Sequence, residues 1–68
     1  MEKIQITTEY IKLDSFLKFA GAVEIGGQAK EPIQNGKVKV NDEICLMRGK
    51  KLRQGDIIAY NNKEYEVI

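Results

Sequence analysis

Gly36-Lys37-Val38-Lys39-Val40-Asn41-Asp42-Glu43-Ile44-Cys45-Leu46 is the stretch whose reading decides the fold. Val38 and Val40 alternate with Lys37 and Lys39, a period of two that sets valines on one face of a strand and lysines on the other. Asn41-Asp42-Glu43 supplies turn chemistry and Ile44-Cys45-Leu46 brings the chain back, so the stretch reads as a β-hairpin. Gly36 marks a change of period, because the residues just before it are spaced as helices are.

Working back from Gly36, Ala29 and Ile33 lie four apart and Asn35-Gly36 has the chemistry of a helix C-cap. Gly26-Gly27 starts a helix poorly, and Pro32 would remove a bond to Gln28. A short, distorted helix is expected, beginning near Gln28 so that Pro32 falls close to its first turn. Further back, Leu13, Phe16, Leu17 and Ala20 repeat at i, i+3, i+4 and i+7, one face of a helix of about two turns. Asp14 complements the dipole in its first turn and Gly21 is a natural C′ residue. Phe19 lies beside that stripe and is expected to pack on a second element. Lys3 to Thr7, with Ile4 and Ile6 alternating, reads as a short strand.

Working forward, a basic loop from Met47 to Arg53 leads into the turn Gln54-Gly55-Asp56. Ile57 to Tyr60 reads as a strand, Asn61-Asn62 as a tight turn and Glu64 to Ile68 as a last strand. A strand, two short helices and four short strands make a single α+β domain over residues 1–68, with the helices packed on a small, mainly antiparallel sheet.

Size and composition exclude several classes of function. A 68-residue chain buries only about 60% of its unfolded surface, too little to enclose a deep substrate pocket or a repeat array. No apolar run approaches the roughly 20 residues of a membrane helix, and Met1 to Gln5 lead into no signal-peptide core. With one cysteine and no histidine, the chain has no internal disulfide and a poor donor set for zinc. Cys45 has no histidine base and reads as a strand residue rather than a nucleophile. The carboxylates are scattered, without a pair suited to acid–base work. The expectation is a reduced, cytoplasmic, non-catalytic protein with no cofactor, metal, membrane or small-molecule substrate.

Charge is unevenly distributed beneath a net of +1. Residues 1–36 balance at −1 and residues 54–68 at −2, whereas residues 37–53 carry Lys37, Lys39, Arg48, Lys50, Lys51 and Arg53 against Asp42 and Glu43, a balance of +4. Such a segment is either a solvated basic loop or a dedicated electrostatic surface. Arg48 and Arg53 offer forked donors, Lys50 and Lys51 point charges, and Gly49 leaves room for a sugar–phosphate chain. Gly26-Gly27 either makes a simple turn or clears the approach of an anion to a helix N-terminus.

Lys12-Leu13-Asp14, Phe16-Leu17, Gly36 to Asn41 and Leu52-Arg53-Gln54-Gly55-Asp56-Ile57-Ile58, in that order and at these spacings, resemble the S4 RNA-binding domain family. The resemblance runs from about Lys12 to Ile58, and Gly26-Gly27-Gln28-Ala29-Lys30 is similar to the small stand-alone bacterial YaaA-type members. It implies the S4-like (αL) fold and binding of structured, commonly ribosomal, RNA by the helix pair and the start of the hairpin. Lys12 occupies the family's basic position before Leu-Asp. Gly26, Gly27, Gln28 and Lys30 stand where many members carry Ser-Arg or Thr-Arg, and Gln54 stands for a more usual proline. The RNA-contacting residues expected are Lys12, Gly26, Gly27, Gln28, Lys30, Lys37, Lys39, Arg48, Lys50, Lys51 and Arg53. A basic face with few aromatics suits RNA read through phosphates and shape. The rival expectations are a module contacting a ribosomal or replication protein and an accessory subunit of an RNA-modifying enzyme.

Overall fold

In the computed structural model, which describes residues 1–24 and 26–68 and, at Gly26, the backbone alone, the chain builds two sheets and a helix pair. The elements are β1 (Glu2–Ile4), β2 (Ile11–Lys12), α1 (Leu13–Phe19), a 3₁₀ turn (Gly26–Ala29), α2 (Lys30–Gln34), β3 (Val38–Val40), β4 (Glu43–Ile44), β5 (Lys51–Leu52), β6 (Ile57–Tyr60) and β7 (Lys63–Val67). The main sheet has the order β1-β7-β6-β3-β4, and β2 and β5 form a separate two-stranded sheet. Every pairing is antiparallel except β1 with β7, so the expected α+β architecture with a mainly antiparallel sheet is present.

Both helices end in the same way. Gly21, at φ +79, donates its N–H to the Lys18 carbonyl, and the Ala22 N–H reaches the Leu17 carbonyl. Gly36, at φ +74, donates to Ile33, and Lys37 donates to Pro32. These are Schellman closures, and the left-handed residue in each is a glycine because a Cβ there is strained. Pro32 falls at the third position of α2, where its missing N–H has no intrahelical acceptor to lose. The α-helix begins at Lys30 rather than near Gln28, and a 3₁₀ turn over Gly26–Ala29 leads into it.

The α1 stripe of Leu13, Phe16 and Leu17 is fully buried, in one core with Ala29 and Ile33 and with Val38, Ile58, Tyr65 and Val67 of the sheet. Phe16 meets Tyr65 edge-on, centroids 6.2 Å apart and planes at 85°, a pairing worth about 0.5–1.5 kcal/mol beyond its area. Phe19 departs from expectation: it is 62% exposed. It sits off the buried stripe, and the Schellman turn carries the following residues back under Leu17 rather than over its ring.

Several boundaries also shift. The first strand is Glu2–Ile4 rather than Lys3 to Thr7, although the Ile6 N–H still reaches the Ile68 carbonyl and Ile68 donates to Ile4. The hairpin return pairs only at Glu43 and Ile44, with one further bond from Cys45 to Val38. Leu46 and Met47 stand exposed beyond it. The last strand is Lys63–Val67. Both tight turns, Asn41-Asp42 and Asn61-Asn62, have positive φ at both central residues, the type I′ pattern that matches strand twist.

Candidate nucleic-acid interface

The segment from Met47 to Arg53, expected as a loop, is bound to α1 through its backbone. Lys12, the residue before the helix, supplies no side-chain cap. Instead the Leu13 N–H donates to the Lys50 carbonyl at 2.9 Å and the Asp14 N–H to the Arg48 carbonyl at 3.1 Å. Two of the four N–H groups that every helix start leaves unpaired are thereby satisfied by the basic segment itself. The Arg48 and Lys50 side chains remain exposed beside them.

β2 and β5 complete the connection. Ile11 pairs with Leu52 and Lys12 pairs with Lys51. Leu52 is fully buried and anchors the strand, so its neighbour Lys51 must face outward. Lys12 and Lys51, both exposed, are thus set directly opposite each other with like charges. That arrangement costs rather than contributes stability, by about 0.2–1 kcal/mol.

Tyr10 lies beneath this group. The Lys51 Nζ stands 4.8 Å from its ring centroid and the Arg53 Cζ 5.8 Å. Such contacts are worth about 0.5–1 kcal/mol at an exposed site. Arg53 also meets the Glu9 carboxylate at 3.4 Å, with both side chains mostly in solvent, a pair that solvent and salt weaken to near zero. A phosphate can therefore replace Glu9 at little cost.

The turn beyond β5 is held by a four-part hydrogen-bond node. Asp56 accepts the Arg53 N–H at 2.8 Å and the Asn41 side-chain amide at 3.1 Å. Asn41 in turn accepts the Ile57 N–H at 2.9 Å and donates its own N–H to the Ile57 carbonyl at 2.7 Å. The end of the basic segment is thereby fixed to the β3–β4 turn.

The expected contact residues fall into distinct places. Lys12, Arg48, Lys50, Lys51 and Arg53 gather around the start of α1 and the two-stranded sheet. Gly27, Gln28 and Lys37 line a second depression with Glu31 and Tyr60, and Lys30 is exposed at the start of α2. Gly26 opens the 3₁₀ turn, and its surroundings lie outside the described residues. Gln28 accepts the Glu24 N–H at 3.1 Å. Lys39 projects from the sheet face opposite the helices, because Val38 and Val40 occupy the inner one. It shares a shallow groove with Lys37, Tyr60 and Lys63.

Tyr10 and Glu9 were not identifiable as partners of the basic group from their own surroundings in sequence. Two-residue strands show no periodicity, and the only available signal was apolar Ile11 facing Leu52 across the chain. Cys45 is half-buried with its thiol 3.7 Å from the Met47 carbonyl. Among the described residues, no three His, Cys, Asp or Glu side chains gather as a metal site would need, and no helix is long and apolar enough to cross a membrane.

A helix pair packed on one face of a small, mainly antiparallel sheet is the αL fold of S4-like α+β domains. The particular family follows from comparison: the S4 domain family matches residues 4–68, and the chain belongs to it. It is 46% identical over 55 residues to the probable ribosome maturation protein RlbA of Bacillus subtilis (strain 168), covering 81% of this chain and 78% of that protein. It is also similar to the solution structure of YbcJ from E. coli, described as having an αL motif involved in RNA binding. That match has a TM-score of 0.77 at 26% identity and covers 100% of this chain and 87% of the other.

Proposed function

We propose that this chain is a non-catalytic, cytoplasmic RNA-binding protein acting in ribosome maturation, and that it docks phosphates of structured ribosomal RNA on the face around Lys12 and Lys51. The observation that carries the reading is the direct opposition of those two lysines across the two-stranded sheet. A fold gains nothing from that pair, but a phosphate between them turns repulsion into two charge-assisted contacts. Arg48 and Lys50 flank it on a backbone that is already fixed, and membership of the S4 domain family together with the relatives' descriptions supports RNA as the polyanion.

The test is RNA affinity against salt for Lys12→Ala, Lys51→Ala and the double variant. Each lost phosphate contact should make the log–log slope shallower by about 0.7–0.9. Thermal stability should hold or rise in Lys12→Ala, since a repulsion is removed, whereas Lys51→Ala also loses the Tyr10 ring contact and should be no more stable than wild type. Unchanged affinity and slope in the double variant would refute the assignment of this face.

A second reading has its own observation. Ile44, Leu46 and Met47 are exposed together beside β4, an edge strand of the main sheet, and such a rim suits a protein contact. A ribosomal-protein partner that survives nuclease treatment and is lost in Leu46→Ser and Met47→Ser would place the function there.

A further inference from the structure

We propose that Phe19 stacks against an unpaired RNA base held between α1 and β2, so that this surface selects RNA with a bulge, junction or frayed end over uninterrupted duplex. The inference rests on the RNA-binding reading above and concerns a different part of the surface from its phosphate contacts.

Phe19 is the last residue of α1 and is 62% exposed. The core has no use for it, since Leu13, Phe16 and Leu17 already fill the buried stripe. Its ring lines a depression with Ile11, Asp14, Ser15 and Lys18. Ile11 precedes Lys12 in β2 and shares the face of its buried partner Leu52, so this depression lies around the start of α1 from the opposed lysines.

The chemistry of the depression favours a base over a phosphate. Asp14 brings a carboxylate that repels phosphate but accepts from the amino groups of a base edge, and its Oδ1 already accepts the Ser15 N–H at 2.7 Å. The aromatic ring offers a π face, which every base can use. Lys18, exposed on the rim, can meet the phosphate that follows.

The spacing is also suitable. The seven residues of α1 make it about 10 Å long, so Phe19 lies about that far along the helix from Lys12. A strand that leaves a phosphate between Lys12 and Lys51 can therefore present a nearby base to Phe19. A continuous duplex cannot, because its bases are stacked inside and its minor groove shows only edges and hydroxyls.

The experiment uses the full chain, a hairpin RNA carrying one bulged 2-aminopurine, and the fully paired hairpin. Wild-type protein should quench the bulged fluorophore and prefer the bulged RNA. Phe19→Ala should lower affinity for the bulged RNA about 5- to 150-fold, abolish the quenching and leave the salt slope unchanged, while Phe19→Tyr retains both. Bulge preference and quenching equal to wild type in Phe19→Ala would overturn the inference while leaving the phosphate face standing. Binding unaffected by Lys12→Ala/Lys51→Ala but lost in Phe19→Ala would do the reverse.

Discussion

Asp56→Ala removes the centre of the node that ties the basic segment to the β3–β4 turn. Asp56 accepts the Arg53 N–H at 2.8 Å and the Asn41 amide at 3.1 Å. Hydrogen bonds to a charged group contribute about 1.5–3 kcal/mol each, and the half-buried position argues for the lower end, so the pair accounts for about 3 kcal/mol. A chain of 68 residues has a total stability of about 3–10 kcal/mol. The substitution therefore removes a third of it or more, and the midpoint should fall by about 12–24 °C. Asp56→Asn is not a rescue. Its single oxygen can serve one donor, while its NH₂ then faces the other. Turning the Asn41 amide round to suit it would break the bond that Asn41 accepts from Ile57. Thermal and urea unfolding followed by circular dichroism measures both variants. Asn41→Ala and Asp56→Ala should also combine to less than their sum, because they share one network. A midpoint within about 3 °C of wild type for Asp56→Ala would refute the reasoning.

Burial first, then the nearby Glu2 and Tyr60, pushes the pKa of the Tyr65 phenol above its ordinary value. The folded state thus keeps the phenol proton to higher pH than the unfolded chain does. As pH climbs past about 10 the unfolded state loses that proton first, and stability falls through that window. Tyr65→Phe should flatten this alkaline decline in urea midpoints measured from neutral pH upward; an equally steep decline would exclude Tyr65 as its source. At Gly49 an added Cβ would meet nothing within 4 Å, so Gly49→Ala should unfold at or slightly above the wild-type temperature and yet bind RNA more weakly if a sugar–phosphate chain passes close to it. Equal RNA affinity in a titration would remove Gly49 from the interface.

The elements that were legible in sequence are those with a period or a cap. The α1 stripe, the Val38–Val40 alternation and both glycine closures follow from side-chain spacing and from the cost of positive φ. Asn41 and Asp56 were legible only as motif letters; their hydrogen bonds to each other join residues fifteen apart, which local pattern does not encode. β2 and β5 were missed for the same reason, since two residues have no period. Phe19 was misplaced because spacing shows which residues share a face but not when that face is already full. The basic segment was found by its charge, yet its bonding to α1 depends on carbonyls, and every residue type has one.

That bonding bears on how the surface can recognise RNA. The Arg48 and Lys50 carbonyls satisfy the first two N–H groups of α1, so the segment cannot move to follow a ligand without leaving a helix start unpaired. At its other end the Asp56 node holds Arg53, and in between Leu52 is fully buried. The cations are therefore few but carried on a backbone pinned at both ends and in the middle. Association then needs little loop ordering, which keeps more of the contact energy as affinity. On the proposed reading the same rigidity would make phosphate spacing decisive, because a segment that cannot adapt rewards only RNA whose phosphates already match it. With a net charge of +1, the proposed interface would draw its selectivity from where its cations are held and not from how many there are.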